Sequence, residues 1–268
     1  MPTPRVLILR APGTNCDRET AFAFERAGGK ADICHVRRML ESPAAFGEYQ
    51  ILCIPGGFSY GDDLGAGRIF GNQLQHHLVE ELARFKSDGK LILGICNGFQ
   101  VLMKTGLLTG TDGDAGPPAT LTLNDSGRYE DRWVRLGVGV ANCVFLQGIS
   151  SMYLPVAHAE GKFVVRDGEV FHRLHQQAQL ALRYLPADDS AVVRDDEALM
   201  PSVPYPANPN GAMGDVAGLC DTTGRVLGLM PHPERHIDPT HHPRWTRGEA
   251  APAGDGLQLF LNAVRYFG

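Results

Sequence analysis

Cys96 stands in Leu91-Ile92-Leu93-Gly94-Ile95-Cys96-Asn97-Gly98-Phe99-Gln100, where an apolar run gives way abruptly to helical spacing. A thiol at such a corner is pushed out of a sheet edge, as the serine is in a G-x-S-x-G nucleophile elbow. The adjoining helix N-terminus favours the thiolate, which is the reactive form. The chemistry on offer is attack on an acyl carbon. That attack needs a base, and the base needs a partner to fix its tautomer and orientation.

Ten histidines are available. His76 and His77 fall on the outer side of a helix, and His172, His175, His241 and His242 sit in polar or proline-rich stretches, so solvated surface is the reading for these. Two His-x-Glu pairs stand out, His158-Ala159-Glu160 and His232-Pro233-Glu234. In extended chain, residues i and i+2 point the same way, about 6–7 Å apart, so the carboxylate can hold one ring nitrogen while the other faces a reactant. Pro231 and Pro233 exclude helix around His232, and the apolar run Val226 to Met230 puts it at a strand end. His232-Glu234 is the stronger pair, and His158-Glu160 stays in play. The backbone N–H of Asn97 and that of Gly57 are the natural donors to a developing oxyanion.

Each feature also has a plainer reading. A lone cysteine in a G-x-C-x-G turn is often a buried structural thiol. Pro55-Gly56-Gly57 alone is an ordinary turn. The glycine-rich stretch 56–67 lacks the Gly-Lys-Ser/Thr ending of a P-loop and carries Asp62 and Asp63, which disfavours an anion cradle. Zinc on Cys96, His232 and Glu234 lacks a motif, so no metal is expected.

The elements that must position these residues follow from periodicity. Arg5 to Arg10 reads as a buried strand, and Thr14-x-x-Asp17 as the capping start of a helix running to about Ala27, closed by Gly28-Gly29. Ala31 to Val36, Gln50 to Ile54 and Leu91 to Ile95 are further strands. Gly71 to Phe85 is one helix with Leu74, Leu78, Leu82 and Phe85 on a face, and Asn97 to Lys104 is another, stopped by Gly106. This alternation implies an α/β fold, an open, mostly parallel sheet with helices on both faces. Pro12-Gly13, Pro55-Gly56-Gly57 and Cys96-Asn97-Gly98 then all follow strand carboxyl ends, the edge where such sheets bind ligands. The second half offers shorter strands at Ala119 to Leu123, Trp133 to Leu136, Phe163 to Arg166, Leu180 to Arg183 and Arg225 to Leu229. Asp112 to Pro118 and Pro186 to Asn210 read as loops, and Gly256 to Phe267 as a closing amphipathic helix.

With 268 residues, 43% hydrophobic, and no internal repeat or low-complexity tract, a single domain over 1–268 is expected. A net charge of −5 gives no reason to expect nucleic acid or an acidic membrane as partner. No apolar run approaches the roughly 18 residues of a membrane span, and the start lacks a signal-peptide core. Six scattered cysteines without C-x-x-C spacing read as reduced thiols, which points to the cytoplasm.

Taken together, Ala11-Pro12-Gly13-Thr14-Asn15-Cys16-Asp17, Pro55-Gly56-Gly57-Phe58-Ser59-Tyr60-Gly61-Asp62, Gly94-Ile95-Cys96-Asn97-Gly98-Phe99-Gln100, Leu154-Pro155-Val156-Ala157-His158-Ala159-Glu160-Gly161, Asn208-Pro209-Asn210-Gly211 and Met230-Pro231-His232-Pro233-Glu234-Arg235 resemble a class I, triad-type glutamine amidotransferase domain of flavodoxin-like architecture. More narrowly, they resemble the family of glutaminase subunits of phosphoribosylformylglycinamidine synthase, which serves de novo purine biosynthesis. The stretches run in family order over nearly the whole chain.

The resemblance implies that Cys96 attacks the side-chain amide of L-glutamine, that His232 moves the proton to departing ammonia and then activates water, and that Glu234 orients His232. Gly57 and Asn97 would donate to the oxyanion, Gln100 would position glutamine, and Asn210 and Gly211 would contact it. His158-Glu160 becomes a structural or subunit-face feature. No cofactor is implied on this chain, because ATP and Mg belong on a synthetase subunit that receives the ammonia, with a small accessory subunit as a further partner. The stretches 186–205 and 237–255 are longer than the family pattern and are expected to contact the partner or cover the glutamine entrance. A cysteine hydrolase of peptidase or deglycase type on a related flavodoxin-like fold is the competing enzyme reading, and an inactive scaffolding subunit the non-enzyme one.

Overall fold

The computed structural model describes residues 3–110, 117–139, 142–187, 199–248 and 252–268. In chain order the elements are β1 (Arg5–Arg10), α1 (Asp17–Arg26), β2 (Lys30–His35), α2 (Val36–Glu41), β3 (Ile51–Ile54), α3 (Arg68–His77), α4 (Val79–Ser87), β4 (Leu91–Ile95) and α5 (Asn97–Thr105). They continue with β5 (Ala119–Thr122), β6 (Glu130–Val138), β7 (Ser151–His158), β8 (Lys162–Val165), α6 (Gly168–Gln176), β9 (Leu182–Leu185), β10 (Val216–Cys220), β11 (Val226–Leu229) and α7 (Leu257–Arg265).

Nine strands form one sheet in the order β2-β1-β3-β4-β11-β10-β9-β6-β7. The half from β2 to β11 is parallel, and the half from β11 to β7 is antiparallel. The difference is written in side-chain pattern. Every residue of β3 and β4 is buried, as in a strand covered on both faces, whereas β7 alternates exposed or half-buried with buried. Helices α1 and α7 pack on one another, and α5 packs on α3 and on β3, β4 and β11. A separate two-stranded sheet pairs β5 with β8.

Several expected boundaries move. The single helix expected over 71–85 is two, α3 and α4, meeting at Leu78, whose φ is −133°. Leu74, Leu78, Leu82 and Phe85 are all buried, so the apolar stripe crosses the break unbroken and hides it. Thr14 does not cap α1. Its Oγ1 accepts the Ala11 N–H at 3.2 Å, and Cys16 holds the N-cap position instead. Strands β7 and β10 and helix α6 were not expected; β7 carries Pro155 in mid-strand, and β10 is built partly of small residues. His242, expected at the surface, is buried against Trp133, Tyr153 and His236.

The expected loop at 112–118 lies mainly outside the described residues, as do parts of the stretches 186–205 and 237–255. No helix among the described residues is long and apolar enough to cross a membrane. All six cysteines are free and buried.

Candidate active site

Cys96 occupies the corner between β4 and α5 with φ 52° and ψ −107°, a strained conformation for a residue with a side chain. Close packing below holds the corner. A Cβ on Gly98 would run into the Ile54 carbonyl at the end of β3, so only glycine lets α5 start so near the sheet. The thiol points to the Ala157 carbonyl, with the sulfur 3.6 Å from the oxygen.

His232 follows β11 by three residues. Its backbone N–H donates to Pro155 O at 2.8 Å, and a short turn over Pro233–Arg235 swings Glu234 back toward the ring. His232 Nδ1 then lies 2.6 Å from Glu234 Oε1, with both side chains sealed from solvent. Strand β7 is therefore the ruler of the site. Its Pro155 carbonyl fixes the histidine backbone and its Ala157 carbonyl takes the thiol, two residues apart on one strand.

Burial pulls the His232 pKa down, but the Glu234 carboxylate, and after it Cys96, push it up, and the net is well above the usual imidazole value. His232 Nε2 has no hydrogen-bond partner among the described residues. That nitrogen is the one left to exchange a proton with the neighbouring sulfur. Three segments meet around Gly56. A Cβ there would lie 2.8 Å from His232 Cε1, 3.2 Å from Cys16 Sγ and 3.5 Å from Cys96 Cβ.

Gly57 has φ +139°, and a Cβ on it would sit 2.6 Å from Asn15 N. The turn is tied to the first βα loop by a bridge to Thr14 and by the Phe58 N–H on Gly13 O at 3.0 Å. Neither the Gly57 nor the Asn97 N–H meets an acceptor among the described residues. Both are thus available to an oxyanion beside Cys96. The Asn97 side chain does a different job, donating to Asp62 Oδ1 at 3.1 Å and to Gln100 Oε1 at 3.0 Å.

The thiol opens into a crevice of about 170 Å³ lined by Gly57, Phe58, Asp62, Ala66, Cys96, Gln100, Tyr129 and the stretch 157–160. A larger cavity of about 500 Å³ adjoins it, sharing Ala66 and Glu160, and one of about 770 Å³ lies apart; the thiol lines neither. Phe58 and Tyr129 stack at 6.3 Å, each roughly half exposed. Gln100 lines the crevice, but its amide is engaged, with Nε2 donating to Glu160 O at 2.5 Å.

Other expected contacts fall differently. Asn210 is buried away from the crevice lining, and its Nδ2 donates to Gly161 O at 2.8 Å and to Tyr184 Oη at 3.0 Å. Gly211 packs against Asp125. Both support the wall behind residues 157–161, and neither lines the crevice. His158 lies in the crevice lining, where its Nδ1–H donates to Asn124 Oδ1 at 3.2 Å. Burial, reinforced by His232, lowers its pKa to about 3, so it is no base at neutral pH. None of the described residues of 186–205 or 237–255 lines the crevice.

Sequence reasoning missed Cys16. Its sulfur, a ring nitrogen of His232 and a carboxylate oxygen of Glu234 lie within 4.8 Å of one another, all buried. That is a metal-like spacing, but the Arg235 guanidinium stands 3.2 Å from the sulfur and the His232–Glu234 contact is already closed, and both oppose a cation there.

A nucleophile at an elbow, a carboxylate-held imidazole and two free N–H donors make an acyl-transfer site. The family model for the CobB/CobQ-like glutamine amidotransferase domain matches residues 3–267. The chain is 47% identical over 263 residues to phosphoribosylformylglycinamidine synthase subunit PurQ of Dehalococcoides mccartyi, covering 98% of this chain and 97% of that one. It is 40% identical to the same-named subunit of Methanococcus maripaludis strain S2, again covering 98% and 97%. A chain in the structure of PurLQS from Thermotoga maritima superposes over the full length of both chains with a TM-score of 0.72 at 28% identity. The chain accordingly belongs to the CobB/CobQ-like glutamine amidotransferases, among the glutaminase subunits of phosphoribosylformylglycinamidine synthase.

Proposed function

We propose that Cys96, His232 and Glu234 hydrolyse L-glutamine to glutamate and ammonia, and that the ammonia passes to a synthetase subunit that makes phosphoribosylformylglycinamidine. The carrying observation is the single corner that holds the Cys96 thiol beside an imidazole already bound to Glu234. Sγ attacks the side-chain amide carbon with its proton already held on His232, whose raised pKa favours the imidazolium, and His232 hands that proton to the amide nitrogen as the C–N bond breaks and ammonia leaves. The carbonyl oxygen gains negative charge during the attack, and the Gly57 and Asn97 N–H groups, without other acceptors among the described residues, are available to it. Water then attacks the thioester with His232 as base, releasing glutamate and restoring the thiol. Glu234 holds the tautomer that leaves Nε2 facing the sulfur.

Gln100 works through the wall of the crevice, holding the Glu160 carbonyl and the Asn97 amide in place. ATP and Mg are placed on the synthetase partner, because the triad reaction needs neither. A relative in a structure of PurLQS supports a complex with two further kinds of subunit, the synthetase and a small accessory one.

The test pairs two nitrogen sources in the reconstituted complex. Cys96→Ala is expected to abolish glutamine-dependent amidine formation and leave formation from free ammonia intact. Loss of both activities, or retention of the glutamine-dependent one, would sink the assignment.

A further inference from the structure

Cys16 sits at the N-cap of α1, only 2% exposed, and its backbone is fixed independently of its side chain. The N–H donates to Gly56 O at 3.2 Å, and the carbonyl accepts the Thr20 N–H at 3.1 Å and the Thr20 hydroxyl at 2.6 Å. That leaves the thiol aimed into the triad. Its sulfur accepts from Arg235 Nη2 at 3.2 Å and donates to Asn15 Oδ1 at 3.3 Å, beside His232 and Glu234. Arg235 is itself pinned by Glu19 of α1 at 2.8 Å. Helix α1 is thus laced to the His232 turn through one sulfur and one ion pair.

Building on the glutaminase reading above, we infer that Cys16 is a positioning residue for that reaction, a second thiol that braces the His232 ring without acting as nucleophile. Two thiols share one imidazole, and something must decide which of them it serves. Burial pushes the Cys16 thiol up to about 11, against the pull of His232, so it stays protonated at neutral pH. It forms no thiolate that would hold the imidazolium proton needed by the leaving ammonia. Only Cys96 opens to the glutamine crevice. Gly56 is the spacer. Any larger residue would drive the ring away from both sulfurs.

The groups that set the charge on His232 are Glu234 and Arg235 of its own turn, Cys96 at the β4–α5 corner, Cys16 of α1, His158 of β7 and Tyr129 at the crevice mouth. Of these, Cys16 lies within 4.8 Å of a ring nitrogen without lining the crevice, so its removal acts on the base and not on glutamine.

The test uses the full chain with its synthetase partner and measures glutamine hydrolysis across neutral and alkaline pH. In Cys16→Ala, kcat falls about tenfold, the scale of a slightly misplaced catalytic group. KM for glutamine moves less than about twofold, because ground-state binding is untouched. The alkaline limb of the pH profile, which follows loss of the imidazolium proton, shifts to lower pH. Cys16→Ser, which keeps a hydrogen-bonding atom in place, restores most of kcat and the limb.

Should Cys16→Ala not fold, Arg235→Lys keeps the cation but gives up the fork that holds the sulfur and Glu19, loosens the same sulfur from its other side and is expected to shift the limb in the same direction. A wild-type pH profile in the folded variants, even with a lower melting temperature, overturns the inference, as does a serine variant no better than alanine. Retained glutaminase activity in Cys96→Ala would instead overturn the underlying reading, whatever Cys16 does.

Discussion

His232 Nδ1 and Glu234 Oε1 lie 2.6 Å apart with both side chains sealed from solvent, while His232 Nε2 and Glu234 Oε2 have no hydrogen-bond partner among the described residues. A base held this firmly on one side and left bare on the other is set for proton exchange with a neighbouring thiol. Replacing the carboxylate with its neutral isostere keeps the shape and discards the charge. Glu234→Gln is expected to lower kcat by about 100-fold or more, within the range for general acid–base groups and their orienters. KM for glutamine should barely change. Steady-state kinetics on the reconstituted complex decide it, and a kcat within a few-fold of wild type would contradict the role.

Gly57 couples backbone strain to function. At φ +139° with Asn15 N close by, Gly57→Ala must adopt a sparsely populated conformation, costing on the order of 1–3 kcal/mol. The turn then shifts and its N–H leaves the oxyanion position. A lower melting temperature together with a large fall in kcat is expected, while a variant that loses stability but keeps kcat would remove Gly57 from the oxyanion hole.

His158 gives the protein an acid sensitivity with a definite sign. Its pKa is lowered from 6.5 to about 3 by burial and by His232. Between those values the unfolded chain binds a proton that the native chain refuses, so stability falls as pH drops through that window, by up to about 1.4 kcal/mol per pH unit. Above 6.5 the group contributes no slope. His232, with a raised pKa, is protonated in both states at acid pH and adds none there; its stabilisation is lost only as pH rises through the raised value. Urea unfolding of His158→Gln at several acid pH values should show a shallower fall than wild type. An unchanged slope would place the acid sensitivity elsewhere.

Asn210 separates a contact to glutamine from support of the wall. Its amide is spent on Gly161 O and Tyr184 Oη, both buried. Asn210→Ala leaves those groups unpaired and is expected to cost about 1–3 kcal/mol of stability. Chemical denaturation measures that cost, and KM for glutamine in the folded fraction should stay near wild type. A KM rise without destabilisation would restore Asn210 as a substrate contact.

Much of this was legible in the chain because parallel strands advertise themselves. β1, β3 and β4 are continuous apolar runs ending in glycine-bearing turns, and those turns are what the site is built from. The two prolines around His232 likewise rule out a continuous α-helix there, although Pro233 starts a short 3-10 turn in place of the extended chain expected, and that turn brings Glu234 to the ring. What stayed hidden depends on the third dimension. β7 carries a proline in its middle and belongs to the antiparallel half, so its alternation is weak in sequence, yet its carbonyls register thiol and base. The break at Leu78 has no local signal because the stripe that packs is continuous. Nothing in Thr14-Asn15-Cys16-Asp17 tells that the sulfur meets a histidine from far downstream, since that contact exists only once β1 and β11 share a sheet.

The most direct measurement asks which sulfur glutamine chemistry reaches. The full chain in complex with its synthetase partner is treated with a glutamine-derived affinity label such as 6-diazo-5-oxo-L-norleucine, and the modified peptide is mapped by mass spectrometry. One label per chain, on Cys96, blocked by glutamine and lost in His232→Ala, is the expected result. Labelling of Cys16, or equal labelling of Cys96 with and without His232, would contradict a nucleophile activated by that imidazole.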